Sequence, residues 1–279
     1  MDILIKIYSF LAFQATAPVM FGIFHLLFLV LIAILTIFIC KKYALASEKT
    51  ERTIAFSAWL IFLILEFYKQ IVESFSLSES TLVFSYNWGY FPFQLCSSPL
   101  YVLPFIAFLP SGKLREAFVS FASTVILFAG LAVSIYPGNV FVETLGLNFQ
   151  TLLWHGSQVW LGAYFLTRRF AQDETPKKKA FFCAAIPIFL AFTAIAILLN
   201  VYMQNALNAK GIEHQINMFF ISPYYDTIFP VLSNLKPLIP YPIFALLYML
   251  FTIIFSYLIF SAAVYIINRI FKKQSPPLT

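Results

Sequence analysis

Seven stretches of predominantly apolar residues recur along this chain, at roughly 17–40, 53–72, 89–110, 116–137, 150–168, 179–201 and 243–268. About 20 such residues in a helix match the hydrocarbon thickness of a bilayer. In lipid every backbone polar group must be satisfied internally, so only helices or closed barrels can cross. The alternating ten-residue pattern of a barrel strand is absent. The sequence therefore predicts an all-α polytopic membrane protein, a bundle of about seven transmembrane helices. Composition agrees: 11% of the 279 residues are charged and 61% are hydrophobic, against about 25% charged in soluble domains. Apolar stretches run the whole length, so residues 1–279 read as a single transmembrane domain. The first residues, MDILIKIYSFLAFQ, lack a small-residue cleavage site and read as an uncleaved or interfacial start.

Orientation follows from lysine and arginine beside the spans. Lys41, Lys42, Lys49 and Arg52 follow the first span, and Lys113 and Arg115 separate the third from the fourth. Arg168, Arg169 and Lys177 to Lys179 separate the fifth from the sixth, and Arg269, Lys272 and Lys273 end the chain. These are fourteen of the 18 basic residues, and all fall on one side. The pattern predicts the N-terminus outside and the C-terminus inside, in the cell membrane. The net charge of +6 is then a feature of the inner membrane face, and nucleic acid is not implied.

With that topology the polar residues sort by depth. Cys96, in FPFQLCSSPL, lies about 8 Å along the third span and His25 about 10 Å along the first, at 1.5 Å per residue. His155, in WHGSQ, falls at a similar depth, and His214 sits outside between the last two spans. Three histidines and one cysteine thus map to the outer third. Cys40 and Cys183 lie at the inner edge, beyond disulfide reach of Cys96, and read as small packing residues. Tyr86, Trp88 and Tyr90 read as an interfacial aromatic belt. Asn139 and Glu143 read as wet loop residues. Glu66 sits inside the second span with Lys69 one turn on, a pairing that is structural or functional. No histidine has a cysteine or carboxylate at ligand spacing, so no metal and no cofactor are expected.

The cysteine segment carries several features of a reactive thiol. Pro92 suits the first turn of a helix, which would place Cys96 near the positive end of its dipole. Pro99 cannot donate to the Leu95 carbonyl, and Ser97 and Ser98 stand ready to serve the freed group. A thiolate nucleophile needs a base, and His155 is the candidate. His25, Glu66 and Asn217 are candidates to orient it.

FQLC on the third span, WHG on the fifth and INMFF before the last resemble the YwaF-like family of bacterial integral membrane proteins over most of the chain. That family is similar to eukaryotic transmembrane acyltransferases that move fatty acyl chains between phospholipids through a cysteine. The resemblance implies a membrane acyltransferase with Cys96 as acyl-accepting nucleophile, His155 as base and Asn217 in the late asparagine-aromatic motif. Phospholipids or lysophospholipids would be its substrates, met at the outer face. Gln94 stands where the family pattern has a histidine two residues before the cysteine. A lipid hydrolase using the same pair, and a transporter or small-molecule binding protein, are the alternatives. An absence of internal repeats and a one-sided cluster of polar residues weigh against transport.

Overall fold

The computed structural model describes residues 3–79, 81–138, 140–172 and 175–271. Asn139 and the tail lysines Lys272 and Lys273, read above from sequence, lie outside the described residues. The chain is mostly helical: α1 (Ile3–Leu11), α2 (Ile23–Tyr43), α3 (Glu48–Ser74), α4 (Pro99–Phe108), α5 (Lys113–Phe121), α6 (Leu127–Ile135), α7 (Leu145–Phe170), α8 (Lys178–Ala209), α9 (Pro230–Leu235) and α10 (Tyr241–Phe271). A small antiparallel hairpin, β1 (Phe75–Ser78) and β2 (Thr81–Phe84), follows α3, with Phe75 paired to Phe84.

Among the described residues five helices are long and apolar enough to cross a membrane: α2, α3, the continuous α5–α6 run, α8 and α10. Two of the seven expected spans differ. The third, expected over 89–110, is an α-helix only over Pro99–Phe108, behind one 3-10 turn at Leu95–Ser97, because Pro99 cannot donate to the carbonyl of Leu95. The fifth is a full-length helix, α7, but it is too polar to count among the five. Its position explains that. Seventeen of the 26 residues of α7 are buried, against two of 21 in α2. α7 packs on α2, α3, α6 and α10 and faces protein on most sides. It therefore holds Asn148, Gln150, Thr151, His155 and Gln158 inside the bundle, while α2 presents Ile23, Leu27, Ile34 and Phe38 outward. Apolar side chains outside and polar ones inside suit a hydrocarbon solvent.

Small residues bring the central helices together. A Cβ on Gly130 of α6 would lie 2.6 Å from Gln158 Cβ, and one on Gly156 of α7 would lie 2.7 Å from Ile32 Cγ1 of α2. Between α5 and α6 the helix widens into one π turn, Ala122–Ile126. There the Ser123 and Thr124 hydroxyls donate to the carbonyls four residues back, at 2.6 and 2.7 Å, and Ser120 Oγ donates to Phe181 O of α8. These buried hydroxyls are spent on the backbone, as is common for Ser and Thr in apolar helices.

One end of the bundle is fastened by charge. Glu51, fully buried in the first turn of α3, meets Arg115 of α5 at 2.5 Å and Arg168 of α7 at 2.8 Å, and also pairs with Arg169. Arg169 further bonds Glu116 at 2.9 Å. Arg115 and a further arginine, Arg52, cap the C-terminus of α4: Arg115 Nε donates to Ile106 O at 2.9 Å, and Arg52 Nη1 donates to Ala107 O at 2.9 Å. Breaking a buried pair by removing one partner costs about 3–5 kcal/mol. Glu51→Leu is accordingly expected to lower the thermal midpoint in detergent sharply. Glu48→Ala, which breaks the more exposed pair with Arg52, is expected to shift stability by at most about 1 kcal/mol.

Candidate functional site

The segment from Phe91 to Ser98 is irregular backbone with two tight turns, the first closed by Phe93 N–H donating to Phe91 O at 2.7 Å, and not the helix expected for it. Gln94 is extended at φ −83°, ψ 162°. Leu95–Ser97 make one 3-10 turn, closed by Ser97 N–H donating to Gln94 O at 2.8 Å. Helix α4 starts only at Pro99, which occupies its first turn where a missing N–H costs nothing. Cys96 thus precedes the helix N-terminus. The reason is Pro99 itself, which cannot donate to Leu95 O. Ser98 does so instead, through its hydroxyl at 2.7 Å.

The carbonyl of Cys96 is also left outside the α ladder, and α7 captures it. Trp154 Nε1 donates to it at 2.8 Å and Gln158 Nε2 at 2.7 Å. Trp154 is in turn fixed by an edge-on contact with Phe62 of α3, centroids 4.7 Å apart. Gln94 Nε2 donates to Asn217 O at 2.9 Å, which joins this segment to the loop before α9.

A cavity of about 360 Å³ opens beside the turn. Cys96 and Gln94 form part of its wall, with Phe128 of α6, Phe220 of the loop and Tyr248 and Phe255 of α10. Its lining is almost wholly apolar. Drug-sized and cofactor-sized ligands occupy pockets from about 300 Å³ upward.

The three histidines occupy three different settings. His25 is fully buried and uses both ring nitrogens: Nδ1 accepts from Phe21 N–H at 3.0 Å, so Nε2–H donates to Ser134 O at 2.7 Å. It clasps α2 to α6 and holds Phe21 at φ 61°. His155 lies on α7 between Trp154 and Gln158, the two side chains that grip Cys96. Its Nδ1 faces Thr151 O at 2.7 Å and must carry the proton, which leaves Nε2 as a buried acceptor with no hydrogen-bond partner. No hydrogen bond joins it to Cys96. His214 accepts from Trp88 N–H at 3.4 Å and lines a separate polar cavity of about 470 Å³ with Glu213, Gln204 and Tyr225.

Glu66 bonds Lys69 at 2.9 Å and Gln70 at 2.6 Å through one oxygen, and its second oxygen is buried and unpaired. Both members of the pair lie within electrostatic reach of Cys96, and Lys69 also reaches His155. Ser97 is buried beside Cys96. Asn217 shapes its own loop: Nδ2 donates to Asp226 O at 2.7 Å and Oδ1 accepts from Ser222 N–H at 3.1 Å.

That loop is strained, with Phe219 and Phe220 at φ 58° and 54°. Left-handed non-glycine residues persist where surroundings over-determine them. Here Asn200 of α8 grips Met218 twice, at 2.6 and 3.0 Å, and Gln204 holds Ile216 N–H and His214 O. Phe219 stacks on Phe93, centroids 5.8 Å apart. Sequence reasoning missed Asn200, Gln204, Gln158 and Tyr248. Asn200, Gln204 and Asn208 recur at a spacing of four near the end of α8, a stripe that marks one helix face. Tyr248 sits among aromatic neighbours in sequence and carries no such signal.

Comparison of the chain with protein-family models, with curated proteins and with solved structures finds no match.

The two buried histidines should respond oppositely to deletion. His25→Leu strands Phe21 N–H and Ser134 O, each worth about 1–3 kcal/mol when left unpaired, and should lower the thermal midpoint. His155→Leu removes an orphaned acceptor and should leave the midpoint unchanged or higher.

Proposed function

We propose that this chain is a membrane acyltransferase that carries a fatty acyl group on Cys96 between lipids. The observation that carries this reading is the position of Cys96: an unwound turn inside the bundle, on the wall of an apolar cavity. An acyl chain needs such a lining, and a lipid ester carbonyl needs a nucleophile at its edge. The proposal extends to the finer arrangement. The chain crosses the membrane seven times, with α7 and the short α4 segment among the spans. The N-terminus is outside, and the site lies toward the outer face of the cell membrane. The kinship proposed is with YwaF-like proteins, through FQLC, WHG and INMFF.

In the first half-reaction the Cys96 sulfur attacks the ester carbonyl carbon. The S–C bond forms, the ester C–O bond breaks, and the lysolipid oxygen leaves with the proton that the thiol gave up. In the second, the hydroxyl of another lipid attacks the thioester carbon, its proton passes to the departing sulfur, and Cys96 is regenerated. His155 Nε2, unprotonated and unpartnered, is the nearest fit to a proton carrier on α7, and a substrate hydroxyl would bridge it to the thiol. Water in place of the second lipid makes the same pair a hydrolase. One observation favours a second reading, binding of an apolar ligand without chemistry: Cys96 has no hydrogen bond to His155.

Intact-mass measurement after incubation with phospholipid decides between them. The expected result is a hydroxylamine-labile fatty-acyl adduct in the native protein, one lysolipid per adduct, and none in Cys96→Ala. His155→Ala is expected to slow adduct formation by about 10²–10⁴-fold, the usual worth of a general base. A native protein that binds lipid yet forms no adduct would leave apolar-ligand binding as the function.

A further inference from the structure

Attack on an ester carbonyl turns its oxygen into an oxyanion, and an apolar cavity must supply a hydrogen-bond donor for it. The indole and amide donors near Cys96 and the Ser98 hydroxyl are already committed, and the Ser97 hydroxyl is turned to the Cys96 sulfur itself. Trp154 Nε1 and Gln158 Nε2 both serve Cys96 O. Gln94 Nε2 serves Asn217 O, and Ser98 Oγ serves Leu95 O. What faces remain uncommitted are acceptors: Gln94 Oε1, Gln158 Oε1 and Glu66 Oε2 are buried without partners. Each of these would repel an oxyanion. Among the described residues lining the cavity, two carry hydroxyls, Tyr136 and Tyr248. Tyr136 is 61% exposed, whereas Tyr248 is 1% exposed and lies within electrostatic reach of Cys96.

We propose that the Tyr248 hydroxyl is a catalytic residue that donates a hydrogen bond to the carbonyl oxygen of the acyl group under attack by Cys96. The inference rests on the acyl-transfer reading. As the S–C bond forms, the carbonyl π pair moves to oxygen, which accepts from the Tyr248 O–H. The pair returns as the ester C–O bond breaks, and Tyr248 keeps its proton throughout. Such a donor acts strongly where water is excluded and its position is fixed. The fold fixes it: Phe244, Tyr248, Thr252 and Ser256 recur every four residues on the buried face of α10. The Tyr248 ring also packs on Phe229, centroids 5.9 Å apart.

The test uses two long-chain probes for the thiol, followed by intact mass, in native protein, Tyr248→Phe and Cys96→Ala. 4-Nitrophenyl palmitate acylates Cys96 through an oxyanion. Hexadecyl iodide alkylates it by displacement at carbon, with no oxyanion. Tyr248→Phe keeps the ring and its packing. It is expected to slow acylation by about 10²–10³-fold, as removal of one oxyanion donor does, with alkylation unchanged and both adducts absent from Cys96→Ala. Equal slowing of both reactions would make Tyr248 a packing residue and overturn the proposal, as would no change in either. A native protein that is alkylated but never acylated would instead remove the acyl-transfer reading itself, and this inference with it.

Discussion

A backbone broken inside an apolar interior must find partners for every group that its helix no longer serves. The turn at Leu95–Ser97 is such a break, and much of the bundle is arranged to meet its demands. Trp154 and Gln158 take the Cys96 carbonyl, Ser98 takes that of Leu95, and Gln94 reaches across to Asn217. Because two of these donors come from α7, that helix must lie at the centre and carry amides where a lipid-facing helix would carry leucine. The polarity of α7 and the interruption of the third span are therefore one feature seen from two sides. The break also frees Cys96 from a helical surface and sets it against the cavity that α6, α10 and the strained Phe219–Phe220 loop enclose.

The far end of the molecule is organised by a different force. Glu51 gathers Arg115, Arg168 and Arg169 without exposure to solvent, and Arg115 and Arg52 complete the last turn of α4. A buried ion cluster of this kind is weak as a source of net stability and strong as a specifier of register. It fixes α3, α5 and α7 relative to α4, so the turn that carries Cys96 is held at both ends of its helix. At the Cys96 end the holding groups are neutral amides and an indole. Neutral donors there leave the cavity free of a permanent charge that an acyl chain would avoid.

Much of the fold could be read from local pattern. The spans expected at 53–72, 179–201 and 243–268 are α3, α8 and α10, each a few residues longer than its apolar core. Capping explains the extension of α3, where Ser47 Oγ accepts from Thr50 N–H and glutamates occupy the first turn. Of the candidate site, Cys96, Gln94 and Ser97 were legible, since a thiol and hydroxyls between prolines stand out in apolar sequence. The division of the three histidines into a clasp, an orphan and a loop residue was not legible. Depth along a span says how far in a side chain lies and nothing about which way its helix is turned.

Sequence by itself determined the helical, membrane-compatible character of this protein and the weakened backbone ladder around Pro99 in its third apolar segment. Both follow from short-range physics, namely the run length of apolar side chains and the missing N–H of proline. Tertiary structure alone decided which helix is central, that Asn200 and Gln204 hold the INMFF loop, and that Tyr248 of α10 shares a cavity with Cys96. Those outcomes depend on contacts between segments far apart in sequence, such as Gln158 with Cys96 across 62 residues and Gln94 with Asn217 across 123. Such pairing is settled only once packing, through contacts such as Gly130 on Gln158 and Gly156 on Ile32, has fixed how each helix is rotated.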